Sequence, residues 1–242
     1  MFYTIKGRAL VYLFSLLLGI GLCAVCISVK EAHDDVGKCI DAAAMSEMTI
    51  LIDAGHGGFD GGASANGISE KDINLSVAKK LRERIEGGGG RALMTRDEDV
   101  STADEARTDG STAKKSDLKR RRDMIKESGA NIFISIHMNK FPQEQYWGAQ
   151  VFYSKTPEDS RRLGEAIQAA LPRVLNDGNT RVAKAADSGI YILKNAEIPS
   201  AIVECGFLSN PEEAKKLNTE EYQSRLADAI YEGICDFLNN AA

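Results

Sequence analysis

The chain has 242 residues, 43% of them hydrophobic and 27% charged. It is long enough for one domain with a sizeable core and too apolar to be a disordered polypeptide. A formal net charge of −5 argues against a nucleic-acid partner, because duplex binders carry a basic excess.

In chain order, the first feature is an apolar run. No residue from Ala9 to Val29 is charged, and ~20 apolar residues suffice to cross a bilayer as a helix. Lys6 and Arg8 precede the run, and Asp34 and Asp35 lie beyond it. The positive-inside rule keeps the N-terminal tail in the cytoplasm and places everything after Val29 outside. A cleaved signal peptide would have a shorter apolar region of ~7–15 residues followed closely by a small-residue site. No A-x-A motif stands directly behind this run, although Ala42, Ala43 and Ala44 lie further on. Cys23 follows Leu22 and Cys26 follows Val25, neither a convincing lipoprotein site. Residues 1–29 therefore read as a membrane anchor, with a cleaved signal segment as the alternative that would leave the protein secreted. Both readings export the rest of the chain.

Residues 30–47 are polar, Ala-rich and without sustained periodicity, and read as a linker to a domain over 48–242. Strands are expected at Thr49–Asp53, Ala92–Thr95, Asn131–His137, Gln150–Tyr153, Ile190–Leu193 and Ala201–Cys205. ILID and IFISI are almost continuously apolar, the pattern of strands covered on both faces. Ile73, Val77, Leu81 and Ile85 recur every four residues as a helical stripe. Ser69 with Asp72 three residues later resembles a cap at its start, and Gly87–Gly90 end it. Further helices are expected over Leu118–Ser128, Glu158–Leu175 and Glu220–Leu238, and Asp97–Asp117 reads as an unpatterned loop. Alternating strands and helices define an α/β class: a mostly parallel, twisted sheet of about six strands flanked by helices on both faces. The transmembrane helix would precede it. The five cysteines show no evident pairing, which suggests a core that stands without disulfides.

Chemistry concentrates at two histidines. Besides His33 in the linker, the chain has only His56 and His137, and each directly follows or ends an expected strand. In an open α/β sheet, functional residues gather beyond the carboxyl ends of the strands. Glu204 ends the AIVEC strand, and Glu70 opens the helix after a glycine-rich loop. Two imidazoles and a carboxylate form a catalytic zinc set that leaves a fourth position for water. A second carboxylate beside the metal can accept the proton of that water, whose pKa falls toward ~7. On spacing alone a packed or hydrogen-bonded histidine at a strand end remains the competing reading, since neither H-E-x-x-H nor a cysteine zinc pattern is present.

ILIDAGHGGFDGGASANGISEKDINL resembles the opening of zinc-dependent N-acetylmuramoyl-L-alanine amidases of the Amidase_3 type. ALMTR, LKRRRDMIKESGANIFISIHMN and PSAIVECGFLSN resemble the later blocks of that family, in order. The resemblance runs from about Ile50 to Leu238. It implies one Zn2+ per chain held by His56, Glu70 and His137, with Glu204 as catalytic glutamate. It further implies hydrolysis of the amide between the lactyl group of N-acetylmuramic acid and L-alanine of the peptidoglycan stem peptide. Asp53 and Asn139 flank the histidines and either orient them or serve ordinary turn chemistry. Arg96 and Arg121 match family arginines that position loops or muropeptide carboxylates, with structural salt bridges as the alternative. Gly55, Gly57 and Gly58 would let the backbone bend around the metal.

Other features stay open. The basic residues Lys114, Lys115, Lys119, Arg120, Arg121, Arg122 and Lys126 read as a solvated helix face, or as a surface for anionic polymer or lipid. Tyr146 and Trp147 either pack or stack on sugar. The short connection after the His137 strand and the lack of wall-binding repeats resemble spore-cortex, germination-specific amidases. That subtype implies action in the forespore intermembrane space, as a step toward muramic-δ-lactam. The expected partners are peptidoglycan, the membrane through the N-terminal segment, and an activating or targeting protein, but no nucleic acid. The rival readings are a non-catalytic peptidoglycan-binding protein on the same fold and another zinc cell-wall hydrolase.

Overall fold

The structure is a computed structural model that describes residues 42–240 apart from 66, 105 and 107–110. The expected anchor at Ala9–Val29 lies outside the described residues, among which no helix is long and apolar enough to cross a membrane.

A short helix α1 (Ala42–Ser46) leads into β1 (Thr49–Ala54). Met45 of α1 is fully buried in the core, so packing reaches into the stretch that reads as linker. A small hairpin, β2 (Ser64–Ala65) and β3 (Ile68–Ser69), precedes α2 (Glu70–Gly87) and β4 (Arg91–Met94). Next come α3 (Ala113–Glu127), β5 (Ile132–Asn139), β6 (Gln150–Tyr153) and α4 (Asp159–Leu175). The chain continues through β7 (Lys184–Ala185), a 3₁₀ turn at Tyr191–Leu193, β8 (Ser200–Phe207), α5 (Pro211–Leu217) and α6 (Glu220–Asn239).

The six-stranded sheet has the order β4-β1-β5-β8-β6-β7. β1 pairs in parallel with β4 and β5, β5 with β8, and β6 with β7; the β6–β8 pair alone is antiparallel, so β6 and β7 run against the other four strands. The sheet is thus mostly parallel, as the alternation of elements implied. The chain reaches β6 through a short connection with no crossover helix, and such a link favours reversal of direction.

Alternation along the strands sorts residues onto two faces. Ile50, Ile52, Ile132, Ile134, Ile136 and Val203 join one large core with the apolar stripes of α2, α4 and α6. Leu51, Phe133 and Ile202 face the other way, against Ile125 of α3 and Ile192 and Leu193 of the 3₁₀ turn. That turn replaces the strand expected at Ile190–Leu193. Three apolar residues carry no period, and a tight turn buries two neighbours side by side where a strand would separate them.

Three further expectations are corrected. α3 begins at Ala113 behind Thr112, whose side chain accepts from Lys115 N, so the loop expected over Asp97–Asp117 is shorter. α5 lies outside the expected helices, although its signals stand in SNPEE. Asn210 caps it by accepting from Glu212 N and Glu213 N, and Pro211 opens the first turn. Cys205 is a buried free thiol, whereas Cys235 is disulfide-bonded, a covalent tie not evident in the cysteine pattern.

Candidate active site

β1 and β5 are neighbours and parallel, so their carboxyl ends deliver His56 and His137 to the same edge of the sheet. β8 lies on the other side of β5, with His137 and Glu204 directly paired in register. Glu70 arrives differently, as the first residue of α2. The β2–β3 hairpin turns the chain back, and Glu70 N donates to Ala63 O at 2.9 Å. The four residues singled out in the sequence therefore come from four separate segments that the topology gathers.

Three of them converge closely. Glu70 Oε1 lies 3.2 Å from His56 Nε2 and 3.0 Å from His137 Nδ1. One ligand atom from each of His56, Glu70 and His137 lies within 4.8 Å of the others. A tetrahedral zinc site with bonds of ~2.0–2.1 Å needs ligand atoms about 3.3 Å apart, so the two pairs match its edge. The donor set of two imidazoles and a carboxylate fits a divalent cation of that size.

The carboxylate is held before any cation is considered. Glu70 is 3% exposed. Its Oε2 accepts from Ala63 N at 2.7 Å, while Oε1 accepts from Met138 N at 3.0 Å and Asn74 Nδ2 at 3.3 Å. Burial alone would raise its pKa, but the hydrogen bonds and charges of His137 and His56 hold it far below the usual carboxylate range. For His137, burial works against protonation, yet Glu70 outweighs it and raises the imidazole.

Glu204 has the opposite environment. Burial pushes its carboxyl above the ordinary value; His137 and His56 oppose that shift, and Glu70 adds to it. Its Oε2 is buried without a hydrogen-bond partner. An unpaired buried carboxylate oxygen costs ~1–3 kcal/mol or more, a strain that structures tolerate where the group has work to do. A carboxyl poised to take up a proton suits a general base.

The loop after β1 is clamped from beneath. His56 adopts a left-handed backbone, φ 61°, which costs a non-glycine residue ~1–2 kcal/mol. Arg121, 2% exposed, holds it there by donating to His56 O at 2.6 Å and Ala54 O at 2.8 Å. The same guanidinium pairs with Asp53 at 2.6 Å and Asp117 at 2.7 Å. Arg96 is also buried and donates to the carbonyls of Ala54, Gly55 and Lys71, tying the loop to the start of α2. Both arginines thus serve the scaffold, and neither has a guanidinium free to bind a muropeptide carboxylate.

Asp53 does not touch either histidine. It accepts from Thr95 Oγ1 and Ser135 Oγ and pairs with Arg121. Burial opposes its ionisation, but Arg121 and those hydroxyls lower its pKa to about 2. Asn139 Oδ1 accepts from Lys140 N, which is ordinary turn chemistry. Gly55 has a distinct purpose: a Cβ there would stand 2.3 Å from Cε1 and Nε2 of His137. Gly62, at φ 69°, would likewise place a Cβ 2.5 Å from Glu70 Oε2.

Two supporting residues have no counterpart among the sequence candidates. Asp60 Oδ2 lies 3.0 Å from His56 Nδ1, an ion-pair distance. Asn74, fully buried, joins Glu70 Oε1 to Gly55 O. Its signal is a polar residue on the apolar face of α2, four positions after Glu70.

The basic residues of α3 are largely committed. Lys114 pairs with Asp60, Arg120 with Glu127 and Lys126 with Glu197, while Arg122 lies over Tyr191 at 4.5 Å. That is the solvated, ion-paired face. Tyr146 and Trp147 are 42% and 45% exposed, so close packing does not account for them.

Residues 50–236 match the family model described as N-acetylmuramoyl-L-alanine amidase, Amidase_3. The germination-specific N-acetylmuramoyl-L-alanine amidase of Bacillus subtilis is 40% identical over 194 residues, covering 80% of this chain and 81% of that protein. The CwlD amidase of Clostridioides difficile, solved in complex with the GerS lipoprotein, superposes with a TM-score of 0.76 at 46% identity. That match covers 80% of this chain and all of the other. A second amidase, from Clostridium difficile 630, gives a TM-score of 0.70 at 26% identity, covering 81% of this chain and 98% of that one.

Proposed function

This chain belongs to the Amidase_3 family of N-acetylmuramoyl-L-alanine amidases, acting on peptidoglycan, and we propose that it does so as a zinc enzyme in spore-cortex maturation. The observation that carries the zinc reading is the convergence of His56, Glu70 and His137 beside a buried, unpartnered Glu204 Oε2. The three converging residues would hold the ion. When bound, zinc supplies a Lewis acid that acidifies water and polarises the scissile carbonyl.

The rest is the work of the chain's own residues. Glu204 takes a proton from the attacking water and delivers it to the alanine nitrogen as the amide breaks. Burial raises its pKa, which favours its taking up that proton. Arg121 and Arg96 keep the β1 loop in place, and Asp60 stands at ion-pair distance from the His56 ring. The products are a glycan bearing a free lactyl group and a stem peptide with a free alanine amine.

The sporulation reading rests on the 40% identical germination-specific relative. In that setting the amidase would open the route to muramic-δ-lactam. The apolar segment would anchor the domain to the membrane on its outer side, raising its local concentration at the wall. A protein partner that activates or targets the domain is a natural supplement, since the CwlD relative is solved with a lipoprotein.

Mass spectrometry of muropeptides after incubation with zinc-loaded protein tests the reaction. Free lactyl termini paired with free alanine amines are expected. Cleavage within the stem peptide or of N-acetyl groups would instead identify a different wall hydrolase. No cleavage with zinc at one per chain, with or without a partner lipoprotein, would leave a binding protein.

A further inference from the structure

Three aromatic side chains stand in the open next to the site. Phe141, Tyr146 and Trp147 are 47%, 42% and 45% exposed, all within the loop that leaves the His137 strand. Phe141 and Tyr146 face each other at 5.4 Å and rest on buried Phe207 at 5.9 and 6.2 Å. Asn139 pairs with Phe207 just beyond the His137–Glu204 pair. At ~3.3 Å per residue the platform lies about 10 Å from Glu204 along the strand.

The platform is held rather than loose. Buried Glu213 accepts from Gly148 N and Phe207 N, both at 2.8 Å, pinning the end of the loop to the end of β8. Phe141 N donates to Ser209 Oγ at 3.1 Å. Aromatic groups fixed in place lose little entropy on binding.

Resting on the amidase reading above, we propose that Phe141, Tyr146 and Trp147 form a sugar-stacking subsite. It would take a pyranose ring of the glycan strand, next to the muramic acid whose amide is cut. The ring faces carry partial negative charge and suit the C–H face of a sugar. Two cations border the patch, each held by a backbone carbonyl. Arg181 donates to Trp147 O, contacts Gln150 Oε1 and covers Phe207 at 4.7 Å, while Lys140 donates to Ser64 O. The three exposed ring faces, about 10 Å from Glu204 along the strand, therefore suit a sugar ring of the strand that carries the muramic acid.

Trp147 is the only tryptophan in the chain and the immediate neighbour of Tyr146, so intrinsic fluorescence reports on this loop. The full chain is titrated with peptide-free glycan oligomers and, separately, with free stem peptide. Saturable quenching or a spectral shift with the glycan alone is expected. Tyr146→Ala should weaken that binding by roughly 2- to 13-fold, and Tyr146→Phe should restore it. In cleavage assays Tyr146→Ala should lower the preference for oligomeric over monosaccharide muropeptide by a similar factor.

An unchanged spectrum with glycan, or a response to stem peptide alone, would overturn the proposal. So would a variant that loses only the binding of a partner protein. The glycan titration needs no catalysis, so failure of the amidase reaction would register separately, in the muropeptide assay.

Discussion

Replacing Gly55 by alanine tests whether the close passage of the β1 loop over His137 sets the metal geometry. The new Cβ would lie 2.3 Å from His137 Cε1 and Nε2, more than ~1 Å inside an ordinary contact of ~3.5 Å. The backbone cannot withdraw easily. Gly55 N donates to Ile136 O, and Gly55 O accepts from Arg96 and Asn74. The imidazole must therefore move by about 1 Å, a displacement that costs roughly 10²-fold in rate, or about 2.7 kcal/mol of transition-state stabilisation. Zinc affinity should fall by about 10–100-fold, and overpacking should cost ~1–3 kcal/mol of stability. The assay is kcat/KM on a defined muropeptide at saturating zinc, with metal content after dialysis and Tm measured alongside. Gly87→Ala is the comparison: it ends α2 and has nothing within 4 Å of its added Cβ. It should leave activity intact and gain at most ~1 kcal/mol. Native rate and native zinc retention in Gly55→Ala would refute the reasoning.

Three more outcomes are expected from the same geometry. Arg121→Met leaves Asp53 buried with its charge uncompensated and should destabilise the fold by ~3–5 kcal/mol, read by denaturant unfolding; a loss under about 1 kcal/mol would show the pair to be dispensable. The Asp53 pKa falls from 3.8 to about 2 on folding, so its contribution of about 2 kcal/mol is present above pH 4 and lost as the pH drops through 2. Stability measured from pH 5 to 2 should fall accordingly, and a flat profile would contradict the assignment. Glu204→Gln should retain zinc yet lose ~10²–10⁴-fold in kcat, whereas His56→Ala should lose both metal and activity; a fully active Glu204→Gln would remove the proton-transfer role.

Local chemistry written along the chain was enough for much of this molecule. Continuous apolar runs at ILID and IFISI mark strands covered on both sides, and the four-residue recurrence from Ile73 to Ile85 marks a helix resting on them. Both signals survive folding because each element must bury its own apolar atoms. The order of strands and helices then implied a parallel sheet, and a parallel sheet brings strand-end residues such as His56, His137 and Glu204 to one edge. The short apolar run at Ile190–Leu193 had no period to read, and only packing against Phe133 and Ile125 made it a tight turn. Nor could spacing show how Arg121 reaches from α3 to His56 O, 65 residues away. Asp60 and Asn74 were hidden for the same reason: their contacts with His56 and Glu70 depend on where two segments meet, and no local pattern encodes that. The sequence alone thus determined most of the elements and which side chains share an edge. Tertiary structure decided how closely the donors approach, which carboxylate is neutralised by imidazoles and which is left buried and unpaired, because distance and burial arise only when the segments pack.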